Sequence, residues 1–178
     1  QGIEFKRLTG DAITPMLWQR FQAFYQLTNL KYNRHHGYLT PDFFERIYHT
    51  MRDSLLLVVA FEGDEAIAGA LYFLGQDTLY GRYWGCIREV EFLHFETCYY
   101  QGIEYCIEQG IQRFDSGAQG EHKVPRGFRP TFTYSVHWLK HTGFKQAVKR
   151  FLIEESVAIQ RYRDEMSQAL PFRQVEGD

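Results

Sequence analysis

Cysteine is scarce in this chain: Cys86, Cys98 and Cys106 are the only three among 178 residues, unevenly spaced and with no C-x-x-C pair. A small, odd count excludes a disulfide framework and points to a reducing, cytoplasmic setting. Long apolar runs are missing as well. None approaches the roughly 20 residues that a membrane-spanning helix needs, and the start has no signal-like pattern. No charge of one sign dominates, since 20 Lys and Arg against 22 Asp and Glu leave a net charge of −2. That balance excludes a global electrostatic footprint for nucleic acid and confines any phosphate binding to local clusters. Internal repeats, low-complexity segments, a P-loop and a dinucleotide fingerprint are all absent.

What is present is an ordinary globular composition, 44% hydrophobic and 24% charged, with an unusually large aromatic share of 17%. The length suits one domain with a real core. Most of the aromatic residues are expected in that core, with some Tyr left to line a ligand cleft. The chain begins at Gln1 rather than Met and enters a strand-like pattern at once. It is therefore expected to be a piece of something longer.

Hydrophobic periodicity lays out the elements. Ile3 to Leu8 alternates like a half-buried strand. Thr14-Pro15 and Thr40-Pro41 each place an N-cap before a proline at the first helical position. The helices they start bury Leu17, Trp18, Phe21, Phe24, Tyr25 and Thr28, then Phe43, Phe44, Ile47, Tyr48 and Met51. Between them Lys31 to Leu39 reads as a polar loop, with His35 and His36 solvated. Ser54–Phe61, Ala66–Leu74 and Thr78–Trp84, joined by short turns, predict an antiparallel meander. A helix over Glu96–Gln109, with Tyr99, Ile103, Cys106 and Ile107 on one face, should stop at Gly110. A short strand Gln112–Asp115, a Gly-rich loop Ser116–Pro130, a strand Thr131–Trp138 and a long helix Lys145–Leu170 complete the chain. Val148, Leu152, Ile159, Tyr162, Met166 and Ala169 form a stripe on that last helix. Glu155 falls within the stripe, where a buried carboxylate needs an ion-pair partner or a protomer interface.

Two segments carry the chemistry. Leu93 to Glu104 is too rich in ionisable and hydroxylated groups for a plain core helix start. At 100° per residue Glu96, Tyr99, Tyr100 and Ile103 project to one side, which aims Glu96 at the sheet. Glu96 either caps its own helix or serves as a general base or amine anchor. His94 is the natural proton acceptor near neutrality. Downstream, Gln119, Glu121, His122, Lys123, Arg126 and Arg129 share a loop with several glycines. That combination either holds a phosphate or carboxylate, through Arg and backbone amides, or is a solvated surface loop. The two segments are expected to wall one pocket, with Tyr80, Tyr83, Tyr99 and Tyr100 lining it. A metal held by His94, Glu96, Cys98, Glu121 and His122 is disfavoured, and none is expected.

The element order is that of the GNAT acyltransferase fold, an α+β architecture with a mixed, mostly antiparallel central sheet flanked by helices. In that fold the strands before and after the central helix splay apart and the donor lies in the wedge. Ile67 to Leu71, Leu79 to Gly85, Leu93 to Glu104, Gly117 to Phe128, Thr133 to Trp138 and Pro171-Phe172 carry a further likeness. Through them the sequence resembles the FemAB-like family of peptidoglycan biosynthesis or recognition proteins, within the GNAT superfamily. The resemblance spans nearly the whole chain and matches the C-terminal of two GNAT-type halves, which implies a missing N-terminal sister domain.

The family resemblance implies acyl or aminoacyl transfer from acyl-CoA or aminoacyl-tRNA to a small-molecule or peptide-like amine, with an oligomeric state left open. Glu96 or His94 would be the base, backbone N–H groups near Tyr83-Trp84 the oxyanion site, and Lys123, Arg126 and Arg129 the anion holders. The alternative is a non-catalytic recognition module for an anionic ligand or the sister domain. One departure stands out. GNAT enzymes bind the coenzyme A pyrophosphate with an R/Q-x-x-G-x-G/A turn at the central helix, whereas Glu91 to Thr97 contains no glycine. Weak or no acetyl-CoA binding is expected.

Overall fold

The computed structural model describes residues 2–118 and 120–172. They form two compact units, one up to residue 117 and one from residue 118. The first unit is built on a five-stranded sheet in the order β1 (Ile3–Thr9), β2 (Leu55–Glu62), β3 (Glu65–Leu74), β4 (Thr78–Cys86), β5 (Arg113–Asp115). Strands β1 to β4 pair antiparallel and β5 runs parallel to β4, giving the mixed, mostly antiparallel α+β fold expected.

Strand β2 shows why the run Leu55–Phe61 is apolar without alternation. Leu55, Leu57 and Val59 pack on one face of the sheet, and Leu56, Val58 and Ala60 on the other. A strand covered on both sides has no polar face to display. Helices α1 (Pro15–Asn33) and α2 (Pro41–Thr50) cover the first face with Trp18, Phe21, Phe24, Phe44 and Tyr48. The Thr14 and Thr40 hydroxyls accept from Leu17 and Phe43 N–H, so both N-cap expectations hold. Polar atoms inside this layer are paired. The Trp18 indole donates to Phe44 O at 3.3 Å and the Tyr48 hydroxyl to Ile13 O at 2.9 Å. Helix α1 crosses β4 so closely that a Cβ on Gly85 would lie 2.2 Å from the Phe24 carbonyl carbon.

A central helix, residues 93–109, covers the second face. It is α-helical over Leu93–Phe95 and Gln101–Gln109, with one π-helical turn, Glu96–Tyr100, between them. The extra residue of a π turn rotates everything downstream. Tyr99, Gly102 and Cys106 are therefore buried, while Ile107, expected on the buried face, is 76% exposed. Tyr100, expected beside Tyr99, is exposed for the same reason.

Further expectations are corrected. Met51, placed on the buried face of α2, follows that helix's last residue and is 42% exposed. Helix α1 continues through Lys31 and Tyr32 to Asn33, so the loop begins at Arg34, a left-handed C-cap with φ 58°. Residues 131–138 form no strand: the alternation is there, but Tyr134, Val136 and Trp138 are exposed and no neighbouring strand pairs with them. Pairing, not alternation, makes a strand. The segment 116–130 is not all loop, because Glu121–Arg126 winds into a 3₁₀ helix around buried Val124. The second unit's long helix runs Thr142–Gln168, starting early because His141 Nδ1 caps it by accepting from Phe144 N–H at 3.1 Å. None of its residues is buried, so Glu155 is not the buried carboxylate that the stripe implies.

Candidate active site

Strands β4 and β5 stay paired for only three residues, Thr78 to Tyr80 against Arg113 to Asp115. Beyond Tyr80, β4 runs on to Cys86 with no strand partner on that edge among the described residues. The split coincides with a β-bulge. Gly81 faces Tyr72 and Tyr83 faces Leu71, so Arg82 is one residue too many for β3. A bulge bends its strand and re-aims the side chains that follow. It puts Tyr83 among the aromatic residues of the α1 face and turns Trp84 toward the central helix.

The opening is a cavity of about 110 Å³ between β4 and the central helix, with Arg82, Tyr83, Trp84, His94, Cys98 and Tyr99 in its wall. His94, in the helix's first turn, is half-buried and held by three rings. Its centroid lies 5.2 Å from Trp84 and 5.5 Å from both Phe95 and Tyr99. Burial raises the pKa of the Tyr83 phenol, with nearby Tyr25 adding to it and Arg82 opposing. The Arg82 guanidinium sits 5.1 Å over the Tyr80 ring and 3.6 Å from Asp115. Tyr80 thus supports the opening from beside it.

The π turn is fixed from below. The hydroxyl of fully buried Tyr72 donates to Thr97 O, and the Thr97 hydroxyl donates to Leu93 O at 2.7 Å. A π turn changes the carbonyl pairing of an α-helix, and a buried carbonyl without a donor is costly. Tyr72 supplies that donor. Burial, and then the neighbouring Cys98 and Tyr99, hold its pKa well above the usual phenol value. The turn also brings Glu96 and Gln101, five residues apart, within a 2.9 Å hydrogen bond. Glu96 caps nothing. The residue before the helix is Phe92, in the left-handed region at φ 64°.

A second cavity, about 640 Å³, lies at the carboxyl end of β4 and shares Trp84 and His94 with the first. Its rim is the last turn of α1 and the 87–92 loop. Lys31 and the Tyr32 hydroxyl both bond to Glu89, whose carboxyl is held below its ordinary range chiefly by the Lys31 hydrogen bond, then by Tyr32.

In the second unit, Glu121 accepts from the Tyr162 hydroxyl at 2.8 Å and Lys123 donates to Ala118 O at 3.3 Å. Arg126 donates to His122 O, and Arg129 is exposed. Burial, then the charges of Lys123 and Arg126, push the His122 imidazole below its ordinary pKa. Gln119 lies outside the described residues. The structure thus places His94, Tyr83 and Tyr99 in one cavity wall, with the Tyr83 ring packed against Tyr25 on the α1 face, and sets Glu96 and Tyr100 outside that wall. Sequence reasoning missed Tyr72, Tyr32 and Glu89. Tyr72 looked like any strand aromatic, and nothing local announced its helix partner. Among the described residues no group of three or more His, Cys, Asp or Glu side chains could hold a metal.

With this geometry in view, comparison with known proteins is informative. The model of the FemAB-like family, described as peptidoglycan biosynthesis/recognition, matches residues 1–174. The chain belongs to the FemAB-like family. Among solved structures, a possible acetyltransferase from Clostridium difficile 630 superposes with a TM-score of 0.54 at 10% identity, over 79% of this chain and 100% of that one. An aminoglycoside acetyltransferase from an uncultured soil metagenomic sample, in complex with sisomicin, gives 0.51 at 11% identity over 79% and 96%. AAC(6')-Iy in complex with a CoA-linked bisubstrate analogue gives 0.51 at 9% identity over 79% and 100%. At these identities the likeness is one of fold, and this FemAB-like chain has the fold of the GNAT acetyltransferases. No curated protein matches its sequence.

Proposed function

We propose that this FemAB-like chain is an acyl- or aminoacyl-transferase domain whose reacting carbonyl lies in the opening between β4 and β5. The observation that carries this reading is the coincidence at one place of a splayed strand edge, a bulge and a half-buried histidine. Along an unpaired edge every second residue turns its N–H outward. The N–H groups near Tyr83 and Trp84 therefore suit a developing oxyanion. His94 takes the proton of an acceptor amine, whose lone pair then attacks the carbonyl carbon. The donor's C–S or C–O bond breaks as the tetrahedral intermediate collapses, the leaving group receives the proton held by His94, and the new amide nitrogen releases its extra proton to water.

His94 is the better candidate for the base because Glu96 is bonded to Gln101 and stands outside the cavity wall. The turn that binds the coenzyme A pyrophosphate does not fit here. Carboxylates Glu89 and Glu91 flank the helix start, and glycine is missing from it. The cations Lys123, Arg126 and Arg129 of the second unit are assigned, separately, to holding an anionic group.

The test is transfer by the 178-residue chain from thioester and aminoacyl-ester donors to a primary amine, read by mass spectrometry. His94→Asn is expected to cut the rate by about 10²- to 10⁴-fold. Unchanged turnover in that variant would displace His94 from the role. No turnover with any donor, alongside intact ligand binding, would favour the recognition module.

A further inference from the structure

The cavity at the carboxyl end of β4 has a composition that the transfer chemistry alone does not explain. A helix N-terminus ordinarily offers its free N–H groups and positive dipole end to a phosphate. Here one of those N–H groups is already engaged and the helix begins its regular bonding at once. Leu93 N–H bonds to Val90 O at 3.1 Å and Glu96 N–H to Phe92 O at 3.0 Å. The surrounding charges also have the wrong sign for a phosphate. Arg88 is paired with Glu62, and Lys31 is tied to Glu89 at 2.5 Å. Among the described residues Glu91 makes no ion pair, so one carboxylate on the rim is uncompensated. Trp84 and Tyr32 both line the space, but the Tyr32 ring already carries the Lys31 ammonium 5.4 Å from its centroid, which leaves Trp84 as the aromatic wall for a further cation. At about 640 Å³ the volume falls within the range of small-molecule sites.

We propose that this cavity binds a primary ammonium group on a slim, otherwise uncharged body, with Glu91 as counter-ion and the ring of Trp84 as cation–π wall. The uncompensated charge of Glu91 disfavours pyrophosphate at the same place. The assignment of this cation as the acceptor rests on the transfer reading above. His94 lines both cavities, so it can take one proton from R–NH₃⁺ and leave R–NH₂ facing the donor carbonyl.

The experiment is a titration of the 178-residue chain followed through the indole N–H resonances of Trp18, Trp84 and Trp138. The probe is Nα-acetyl-lysine amide, which carries one ammonium, and the control is its Nε-acetylated, uncharged form. Coenzyme A and inorganic pyrophosphate form the anionic arm. The ammonium probe is expected to shift Trp84 saturably while Trp18 stays still, and the uncharged control to leave both in place. Glu91→Gln, an exposed substitution that should not disturb folding, is expected to weaken the probe about five- to tenfold. A Trp84 shift from coenzyme A or pyrophosphate but not from the ammonium probe would overturn the proposal. So would probe binding that Glu91→Gln leaves unchanged. Ammonium binding without transfer from any donor retires only the transfer reading, and transfer without an ammonium-dependent shift at Trp84 retires only this cavity assignment.

Discussion

The two faces of the sheet are built by different means. Under α1 and α2 the layer is dry and aromatic. Trp18 meets Phe21, Phe44 and Tyr48 with ring centroids 5.4 to 6.0 Å apart, and the helix backbone touches β4 at Gly85. Under the central helix the packing is interrupted by a π turn, a bulge and two cavities. The first face supplies rigidity, and the second spends it. A bulge and a π turn, placed opposite each other, open a space that regular elements would fill. They hold because Tyr72 reaches across to bond Thr97 O and because β3 and β4 are clamped from behind by α1. Irregular backbone is tolerated on one side of a sheet whose other side is over-determined.

That division can be broken most severely from the aromatic side. Trp18→Ala removes a ring that is 1% exposed and should cost about 3–5 kcal/mol of stability. Denaturant unfolding measures this cost. The fraction that stays folded should keep its affinity for the ammonium probe, because Trp18 borders neither cavity. A proportionate loss of affinity would show that the two faces are not separable.

Tyr72→Phe probes the other side with a smaller cost to stability. Only a hydroxyl is removed, yet it strands Thr97 O in a fully buried place, at a cost of about 1–3 kcal/mol. The more telling readout is local. Without its donor the π turn should relax toward α-helical pairing and shift the resonances of His94 and Cys98, which border the cavity above it. A loss of stability with no change at His94 would make Tyr72 an ordinary buried hydroxyl rather than a support for the opening.

Sequence patterns gave the regular face almost in full and the irregular face only in outline. Thr-Pro pairs, apolar spacing and short turns each report a local property, and α1, α2 and β1 to β4 follow from such properties. The family resemblance then supplied the expectation that β4 and β5 part, and His94 was singled out from its residue type. The bulge at Arg82 was out of reach because it depends on register against β3. The π turn was out of reach because its cause, Tyr72, lies 25 residues away in sequence. One missed residue in the helix count was enough to place Ile107 and Tyr100 on the wrong side. At residues 131–138 the error ran the other way: the alternation was visible, but no pairing partner could be read from it.

The smallest expected effect concerns the entry to the central helix. Phe92 holds φ 64° and is 65% exposed. A side chain there gains little from burial and suffers the crowding between Cβ and the carbonyl that makes the left-handed region costly, roughly 1–2 kcal/mol for a non-glycine residue. Glycine occupies that region freely but gives up more freedom on folding, which offsets part of the gain. Phe92→Gly should therefore stabilise the chain by about 0.5–1 kcal/mol, raising Tm by roughly 1–4 °C for a protein of this size. The sign distinguishes two accounts of the strained residue. If Tm rises and the ammonium probe binds as before, the strain is incidental to a tight turn. If Tm rises while affinity falls, the fixed backbone at Phe92 is what holds Glu91 toward the cavity, and the irregular face gives up stability to place a charge.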